Sequence, residues 1–260
     1  MNGRAKLAAA LAVAVFAPAG TVAALLVGGE GAGVSEPAVA RPFDPEPTQT
    51  APDPFPSNLE GPNRYLVARV KGRALLLTRP GGRPKARIAD QTEFKNPRVL
   101  SVVRRWGNWL AVLAPELKNG QVGWIHRSKV ARLSAVTWSL HADLSERAIV
   151  VRRDGRRVRR LRIGIGRPGH KTPTGRFAVT DALRVTDGSS PYGCCVLALT
   201  GHQTKLPPGW PGGDRLAVHA TADLSGLGRE VSLGCMRADP SDARWLIAKI
   251  PLGSPVFIRG

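Results

Sequence analysis

One cysteine, Cys235, lies in the stretch VSLGCMRADP, directly after a glycine and shortly before a predicted helix. A cysteine thiolate is a strong nucleophile, but a base must take its proton. All five histidines precede Cys235 in the chain. His219 stands 16 positions before it (235 minus 219), at the end of the predicted strand RLAVHA, and is the first candidate for that base. His170 and His202 lie in turn-rich segments and remain the alternatives.

The residues around Cys235 predict a lowered thiol pKa. Gly234 allows the backbone to approach a ligand closely. Asp239 followed by Pro240 is typical of a helix start. A helix N-terminus and a nearby cation such as Arg237 both lower the pKa of a thiol. The competing interpretation is that Cys235 is a small buried hydrophobic residue.

The other two cysteines, Cys194 and Cys195, are adjacent and begin an apolar, strand-like run. They are interpreted as small buried strand residues or as a vicinal disulfide. No cysteine pair has the gap of two to four residues that is typical of a zinc site. We therefore expect no metal site, and a cysteine nucleophile with a histidine base requires no organic cofactor.

The chain of 260 residues is strongly basic, with 38 Lys and Arg against 19 Asp and Glu and a net charge of +19. Such a balance predicts an acidic partner: nucleic acid, an anionic lipid surface or an anionic cell-wall polymer. The charge by itself does not choose among the three.

The N-terminal segment narrows this choice. Arg4 and Lys6 precede an uncharged run from Leu7 to Val27. This pattern predicts a signal peptide or membrane anchor over 1–27, cleaved after Ala19 in the first case and retained in the second. In both cases the rest of the chain is exported, to the cell wall or the outer face of the cytoplasmic membrane. Nucleic acid is then excluded as the partner.

The remaining chain divides into three parts by composition. Residues 28–60 are rich in proline and predict an extended linker. Residues 61–134 predict short strands, including a hairpin joined through Asn119-Gly120. Residues 136–260 predict a second domain that is mainly β, with an Asp154-Gly155 hairpin and one short helix after Asp239.

Two groups of side chains in these domains have two interpretations each. The tryptophans of the first domain are either core residues or the lining of a ligand groove. They are Trp106, Trp109 and Trp124. The arginine run of the second domain is either a solvated edge that resists association of sheets or a contact for an anionic wall polymer. It consists of Arg152, Arg153, Arg156, Arg157, Arg159, Arg160 and Arg162.

Three separated motifs resemble the L,D-transpeptidase (YkuD) catalytic domain over Val136–Arg259. They are GRPGHKTPTGRF, LAVHAT and SLGCMRADPSDARWLIAKIPLGSPVFI. The resemblance implies a β-sandwich of mixed sheets with few short helices. Residues 61–134 resemble, more loosely, the bacterial Src-homology-3-like β-barrel, through the Gly-Trp-Ile of the last hairpin.

The resemblance also implies roles for the residues that match the family motif. Cys235 matches the nucleophile and His219 the general base. Ser232, Gly234 and Arg237 match the other motif positions, and Leu233 stands where the family usually has histidine. The backbone N–H groups of Cys235 and Gly234 are natural donors to an oxyanion, with Ser232 in the same turn. Tyr192 and Arg237 are candidate substrate-binding residues, and Arg237 could instead brace the turn.

The implied activity is peptidoglycan cross-linking. Cys235 attacks a stem tetrapeptide, D-Ala leaves, and an amine of a second stem resolves the thioester. Two alternatives remain: an L,D-carboxypeptidase that uses water as the acceptor, and a non-catalytic protein that only binds the wall. A papain-like enzyme is disfavoured, because such enzymes place cysteine before histidine in the chain.

Overall fold

The computed structural model describes residues 59–187 and 190–260. The predicted signal or anchor at 1–27 and nearly all of the predicted linker lie outside the described residues. Within the described ranges, no helix is long and apolar enough to cross a bilayer.

The first part of the described chain forms a seven-stranded antiparallel, barrel-like sheet with the strand order β3-β2-β6-β5-β4-β1-β7. Its strands are β1 (Tyr65–Val70), β2 (Ala74–Leu77), β3 (Pro84–Ile88), β4 (Val99–Trp106), β5 (Trp109–Leu113), β6 (Gly123–His126) and β7 (Val130–Val136). Aliphatic side chains such as Leu76, Leu110 and Ile125 fill its interior and are fully buried. The likeness to a Src-homology-3 barrel stays a prediction.

Two hairpins of this sheet involve its tryptophans. The run from Val99 to Leu113 forms two paired strands, because Gly107, with φ +49°, turns the chain between Trp106 and Trp109. The β5–β6 hairpin is joined through Asn119 and Gly120, which form a turn closed by a hydrogen bond from the Gln121 N–H to the Lys118 carbonyl oxygen at 3.0 Å; this turn lies within a connecting loop of nine residues (114–122). Among the tryptophans, Trp124 is buried, whereas Trp106 and Trp109 are half-buried.

The second part forms a mixed nine-stranded arrangement with the order β14-β10-β15-β13-β12-β11-β16-β8-β9. Its strands are β8 (Trp138–Asp143), β9 (Ala148–Arg153), β10 (Arg156–Gly166), β11 (Gly175–Arg184), β12 (Cys195–His202), β13 (Arg215–Ala220), β14 (Glu230–Ser232), β15 (Met236–Ala238) and β16 (Pro255–Arg259). Three of the pairings are parallel: β10 with β14, β13 with β15, and β16 with β8. The expected mainly β fold with mixed sheets is confirmed.

Two long strands join this arrangement into a sandwich. The first half of β10 pairs with β9, whereas Ile163 and Gly164 pair with β15. Likewise, β11 pairs with β16 at its start and with β12 from Val179 onward. Strands that switch sheets in this way form the corners of orthogonal β-sandwiches. Aliphatic side chains from both layers fill the space between them.

The β9–β10 hairpin turns through Asp154 and Gly155, as predicted, and both residues have positive φ. Val158, an apolar residue among the arginines of this hairpin, is 46% exposed, because the register shifts between Arg157 and Arg159.

Several arginines of the run make contacts within the protein. Arg159 pairs with Asp242 and lies over the Trp245 ring, Arg153 lies over the Trp138 ring, and Arg160 lies 3.5 Å from a Glu146 oxygen. Contact of this run with an anionic polymer stays a prediction.

The single α-helix of the described residues is α1 (Pro240–Lys249). It begins as predicted, since the Asp239 side chain accepts a hydrogen bond from the Ser241 N–H and Pro240 is its first residue. Ala243 and Leu246 are buried, so this face packs on β12 and β13. The helix therefore covers one side of β12 and of β13, the strand that carries His219.

We expect Leu246→Ala to lower the free energy of unfolding by about 2–5 kcal/mol, because its side chain is fully buried. Leucine and alanine are both good helix formers, so helix propensity contributes little. Leu224→Ala, at a side chain that is 51% exposed, is the matched control and should change stability by less than about 0.5 kcal/mol. Urea unfolding measures both variants, and equal effects would contradict the placement of α1.

Candidate active site

His219 lies in β13, which runs between β12 and β15 in the sheet. The imidazole is buried and its Nδ1 donates a hydrogen bond to the Ala220 carbonyl oxygen at 2.7 Å. A carbonyl oxygen can only accept, so the neutral ring carries its proton on Nδ1. The other nitrogen, Nε2, is then free of a proton and able to accept one.

Burial lowers the pKa of His219 from 6.5 to about 4. The positive charge of Arg237 lowers this pKa further, whereas the carbonyl groups of Ala220 and Tyr192 raise it. Arg237 has this influence because the parallel β13–β15 pairing places it directly beside His219. The imidazole is therefore neutral at pH values well above 4.

Cys235 immediately precedes β15, and its Sγ donates to the Arg215 carbonyl oxygen at 3.7 Å. Burial raises the pKa of this thiol, although a backbone hydrogen bond at Ala217 and the charge of Arg237 oppose the shift. The expectation of a lowered thiol pKa is wrong. Strand β15 separates Cys235 from α1, so the thiol does not lie at the helix N-terminus.

A serine side chain fixes the turn that presents Cys235. Ser232 Oγ donates to the Cys235 carbonyl oxygen at 2.6 Å and accepts from the Gly234 N–H at 3.0 Å. The Gly234 N–H is therefore already used, which disagrees with its predicted role as an oxyanion donor. Ser232 acts as the brace of the turn. The Cys235 N–H stays the predicted donor.

Gly234 is required here for conformation and for space. Its φ is +124°, and an added Cβ would lie 2.1 Å from Gln203 Nε2. That Gln203 nitrogen donates to the carbonyl oxygens of His170, Lys171 and Leu233, at 3.1, 3.1 and 2.7 Å. Gln203 thus ties the 170–171 loop to the turn before Cys235.

Thr172 supports the same turn from the other side. Its Oγ1 donates to the Gly234 carbonyl oxygen at 2.8 Å and accepts from the Gly166 N–H at 2.9 Å. Sequence reasoning did not single out Gln203 or Thr172, and only the quoted motif GRPGHKTPTGRF contains one of them.

A cavity of about 90 Å³ brings the predicted site residues together. Those that line it are Tyr192, His219, Ser232, Cys235 and Arg237. The edge of the Tyr192 ring meets the His219 ring, with centroids 5.1 Å apart. His170 and His202, the alternative bases, do not line this cavity.

A larger groove of about 750 Å³ lies on the first sheet. Its lining contains Trp109 and His126 but no cysteine, serine or carboxylate. The chemistry expected from the sequence therefore belongs to the smaller cavity.

Arg237 lines the cavity and has no hydrogen-bond or ion-pair partner among the described residues. The interpretation of Arg237 as a brace for the turn therefore has no contact to support it. Leu233 also lines the cavity, in the position where the resembling family usually has histidine, and its carbonyl is held by Gln203.

Cys194 and Cys195 form a vicinal disulfide, which leaves Cys235 as the free thiol of the described residues. Cys195 packs against Ala220 and Ala243 in a small buried cluster. The preceding Gly193 lies so close to Ala220 that an added Cβ would come within 2.8 Å of the Ala220 Cβ. The disulfide segment therefore packs against the residue whose carbonyl oxygen orients His219.

We expect Gly234→Ala to lower the free energy of unfolding by about 1–3 kcal/mol and to change the alkylation rate of Cys235. The physical reason is the contact between the new Cβ and Gln203. Gly209→Ala is the matched control, because Gly209 also has positive φ (+72°) but no atom lies within 4 Å of its added Cβ. A loss of stability no greater than in the control would contradict the close approach at Gly234. Thermal unfolding and iodoacetamide kinetics give both readouts.

Comparisons with known proteins bear on this site. The family model of the L,D-transpeptidase catalytic domain (YkuD) matches residues 137–258. A comparison with curated protein sequences found no match.

Solved structures with a similar chain trace include an L,D-transpeptidase from Mycobacterium smegmatis, 20% identical, covering 55% of this chain and 76% of that one, with a TM-score of 0.38. Another is L,D-transpeptidase 3 from Mycobacterium tuberculosis, 20% identical, covering 54% and 74%, with a TM-score of 0.38. The L,D-transpeptidase of Enterococcus faecium is 21% identical, covering 47% and 49%, with a TM-score of 0.36. Since these scores are low, the assignment rests on the family model. Residues 137–258, which hold the cavity with His219 and Cys235, match the family model of the L,D-transpeptidase catalytic domain (YkuD).

Proposed function

We propose that this protein is a peptidoglycan L,D-transpeptidase in which Cys235 is the nucleophile and His219 the general base. The observation that carries the proposal is that a free thiol and a buried imidazole line one cavity of a YkuD-family domain. The substrate class, stem peptides of peptidoglycan, follows from the family.

In the first half-reaction His219 Nε2 takes the proton from Cys235 Sγ. The sulfur then attacks the carbonyl carbon of the bond between the L-centre of the diamino acid and the terminal D-Ala. The C–N bond breaks, His219 returns its proton to the leaving amine, and D-Ala departs. A thioester remains on Cys235.

In the second half-reaction an amine of another stem attacks the thioester carbonyl. His219 takes a proton from that amine and passes it to the departing sulfur. The C–S bond breaks, an amide cross-link forms, and the thiol and neutral imidazole are restored.

The two pKa shifts favour this order of proton transfers. The pKa of His219 is lowered and that of Cys235 is raised, so both groups are neutral near pH 7 rather than an ion pair. Proton transfer then accompanies attack on the carbonyl, which is general-base catalysis. Burial thus keeps the nucleophile as a thiol until a substrate is present.

Arg237 and Tyr192 are the proposed substrate contacts. Arg237 lies in the cavity with no ion-pair partner among the described residues, so its guanidinium is available to a carboxylate of the stem peptide. The Tyr192 ring meets the proposed base, and burial, followed by the proximity of Cys235, raises the pKa of its phenol. The Cys235 N–H is the proposed donor to the developing oxyanion.

This reaction belongs outside the cytoplasmic membrane, where peptidoglycan lies. We therefore propose that residues 1–27 direct or anchor the chain there. Hydrolysis of the same bond, with water as the acceptor, would need the same residues.

We expect Cys235→Ala to reduce D-Ala release from a muropeptide tetrapeptide by at least about 10³-fold, because alanine offers no nucleophile. The wild-type protein should yield free D-Ala together with a cross-linked dimer, measured by liquid chromatography and mass spectrometry. D-Ala without a dimer would instead identify a carboxypeptidase. If folded protein with a free Cys235 thiol yields neither D-Ala nor a dimer, the protein is a wall-binding module and not an enzyme of this kind.

We expect kcat/KM for D-Ala release to fall as the pH drops through about 4, since protonated His219 cannot accept the thiol proton. His219→Asn should reduce kcat by about 10²–10⁴-fold. His126→Asn, on the first sheet, is the matched control and should keep the wild-type rate and pH profile. An acid limb near 6.5, the ordinary pKa of histidine, would contradict the proposed base.

A further inference from the structure

The hairpin loop between β12 and β13, residues 203–214, forms much of the wall of the active-site cavity. The lining residues that it supplies are Gln203, Leu206, Trp210, Gly212, Gly213 and Asp214. The cavity holds only about 90 Å³, the volume of a few water molecules. A small displacement of this hairpin loop therefore changes how much substrate fits beside Cys235.

The first sheet holds the start of the hairpin loop through the Asn119 side chain. Asn119 Nδ2 donates to the His202 carbonyl oxygen at 2.7 Å, and the His202 N–H donates to Asn119 Oδ1 at 2.8 Å. The amide thus satisfies both backbone groups of His202, as a neighbouring strand would. His202 Nε2 also donates to the Pro115 carbonyl oxygen at 2.6 Å, in the same nine-residue loop as Asn119.

The first sheet also holds the end of the hairpin loop, through Glu93. Its carboxylate pairs with the guanidinium of Arg215, the first residue of β13. Arg215 donates in addition to the Leu199 carbonyl oxygen at 3.0 Å and to Thr180 Oγ1 at 2.8 Å. The Arg215 carbonyl oxygen is the acceptor for Cys235 Sγ.

A buried carboxylate fixes the loop that carries Glu93. Asp181 of β11 is fully buried, and its Oδ1 accepts from Thr92 Oγ1 at 2.5 Å and from Asn96 Nδ2 at 2.8 Å. Breaking a buried hydrogen-bonded contact of this kind is costly, because it leaves a polar group without a partner. Residues 92–96 are therefore held against the second sheet on both sides of Glu93.

Both ends of the hairpin loop lead to the nucleophile. Gln203, next to His202, donates to the Leu233 carbonyl oxygen two residues before Cys235. At the other end, Arg215 contacts the thiol directly through its carbonyl oxygen. The two routes from the first sheet to Cys235 use different loops and different residues.

We propose that Asn119 and Glu93 are positioning residues of the active site, through which the first sheet fixes the 203–214 hairpin loop over Cys235. The first sheet is then part of the catalytic unit and not only an appended domain. Neither residue touches the cavity; each acts through His202 or Arg215. The expected effect on KM and kcat rests on the proposed function, whereas the expected effect on the stability of the 203–214 hairpin loop does not.

The first test is hydrogen exchange followed by mass spectrometry on the full chain. Asn119→Ala should speed exchange of the 203–214 amides by about tenfold, since two hydrogen bonds to His202 are lost. Asn108→Ala is the matched control, because Asn108 is exposed in the β4–β5 turn and should leave these amides unchanged. Asn119→Asp keeps the acceptor for the His202 N–H and should give an intermediate rate.

The second test is kinetic. Asn119→Ala should raise KM for the tetrapeptide by about tenfold with a smaller change in kcat, because the hairpin loop lines the substrate cavity. Glu93→Ala should change kcat as well, through the Arg215 carbonyl oxygen beside the thiol.

Wild-type exchange at 203–214 and wild-type kinetics in both Asn119→Ala and Glu93→Ala would overturn the proposal. If Asn119→Ala does not fold, Asn119→Asp and Glu93→Ala decide by the same readouts. If the wild-type protein releases no D-Ala, the proposed function is wrong. The hydrogen-exchange data would still show whether Asn119 and Glu93 position the 203–214 hairpin loop.

Discussion

The parallel pairing of β13 with β15 is the constraint on which the proposed site depends. It aligns Val218 with Met236 and His219 with Arg237, which brings the end of one strand beside the start of the other. Cys235 stands two residues before Arg237, the residue aligned with His219. Since side chains alternate between the faces of a sheet, this register puts Cys235 and His219 on the same face. A shift by one residue would turn either side chain to the opposite face.

Burial then sets the protonation of the pair. The same desolvation that lowers the pKa of His219 raises that of Cys235, because each charged form would lose water. The surrounding contacts hold both side chains in place. The Ala220 carbonyl oxygen orients the imidazole, Ser232 fixes the turn before Cys235, and Gln203 donates to the Leu233 carbonyl oxygen of that turn. The site is thus specified by backbone contacts as much as by its titratable residues.

The sequence predicted the elements whose signals are local. The cap at Asp239, the Asp154-Gly155 turn and the strand ending in His219 are each encoded within a few residues. The predicted direction of the thiol pKa shift was wrong, because burial of Cys235, which no local pattern reports, raises that pKa. The role of Asn119 was missed since its partner, His202, lies 83 positions away, and no local pattern reports such a contact.

The most direct test of the account is peptide mapping by mass spectrometry after the full-length protein is quenched in acid during turnover of a tetrapeptide. We expect an acyl group, equal to the stem without its terminal D-Ala, on the peptide that contains Cys235. Thioesters survive at low pH, so the adduct should be retained. An acyl group on any other residue, or D-Ala release that proceeds with Cys235 alkylated, would contradict the assignment of the nucleophile.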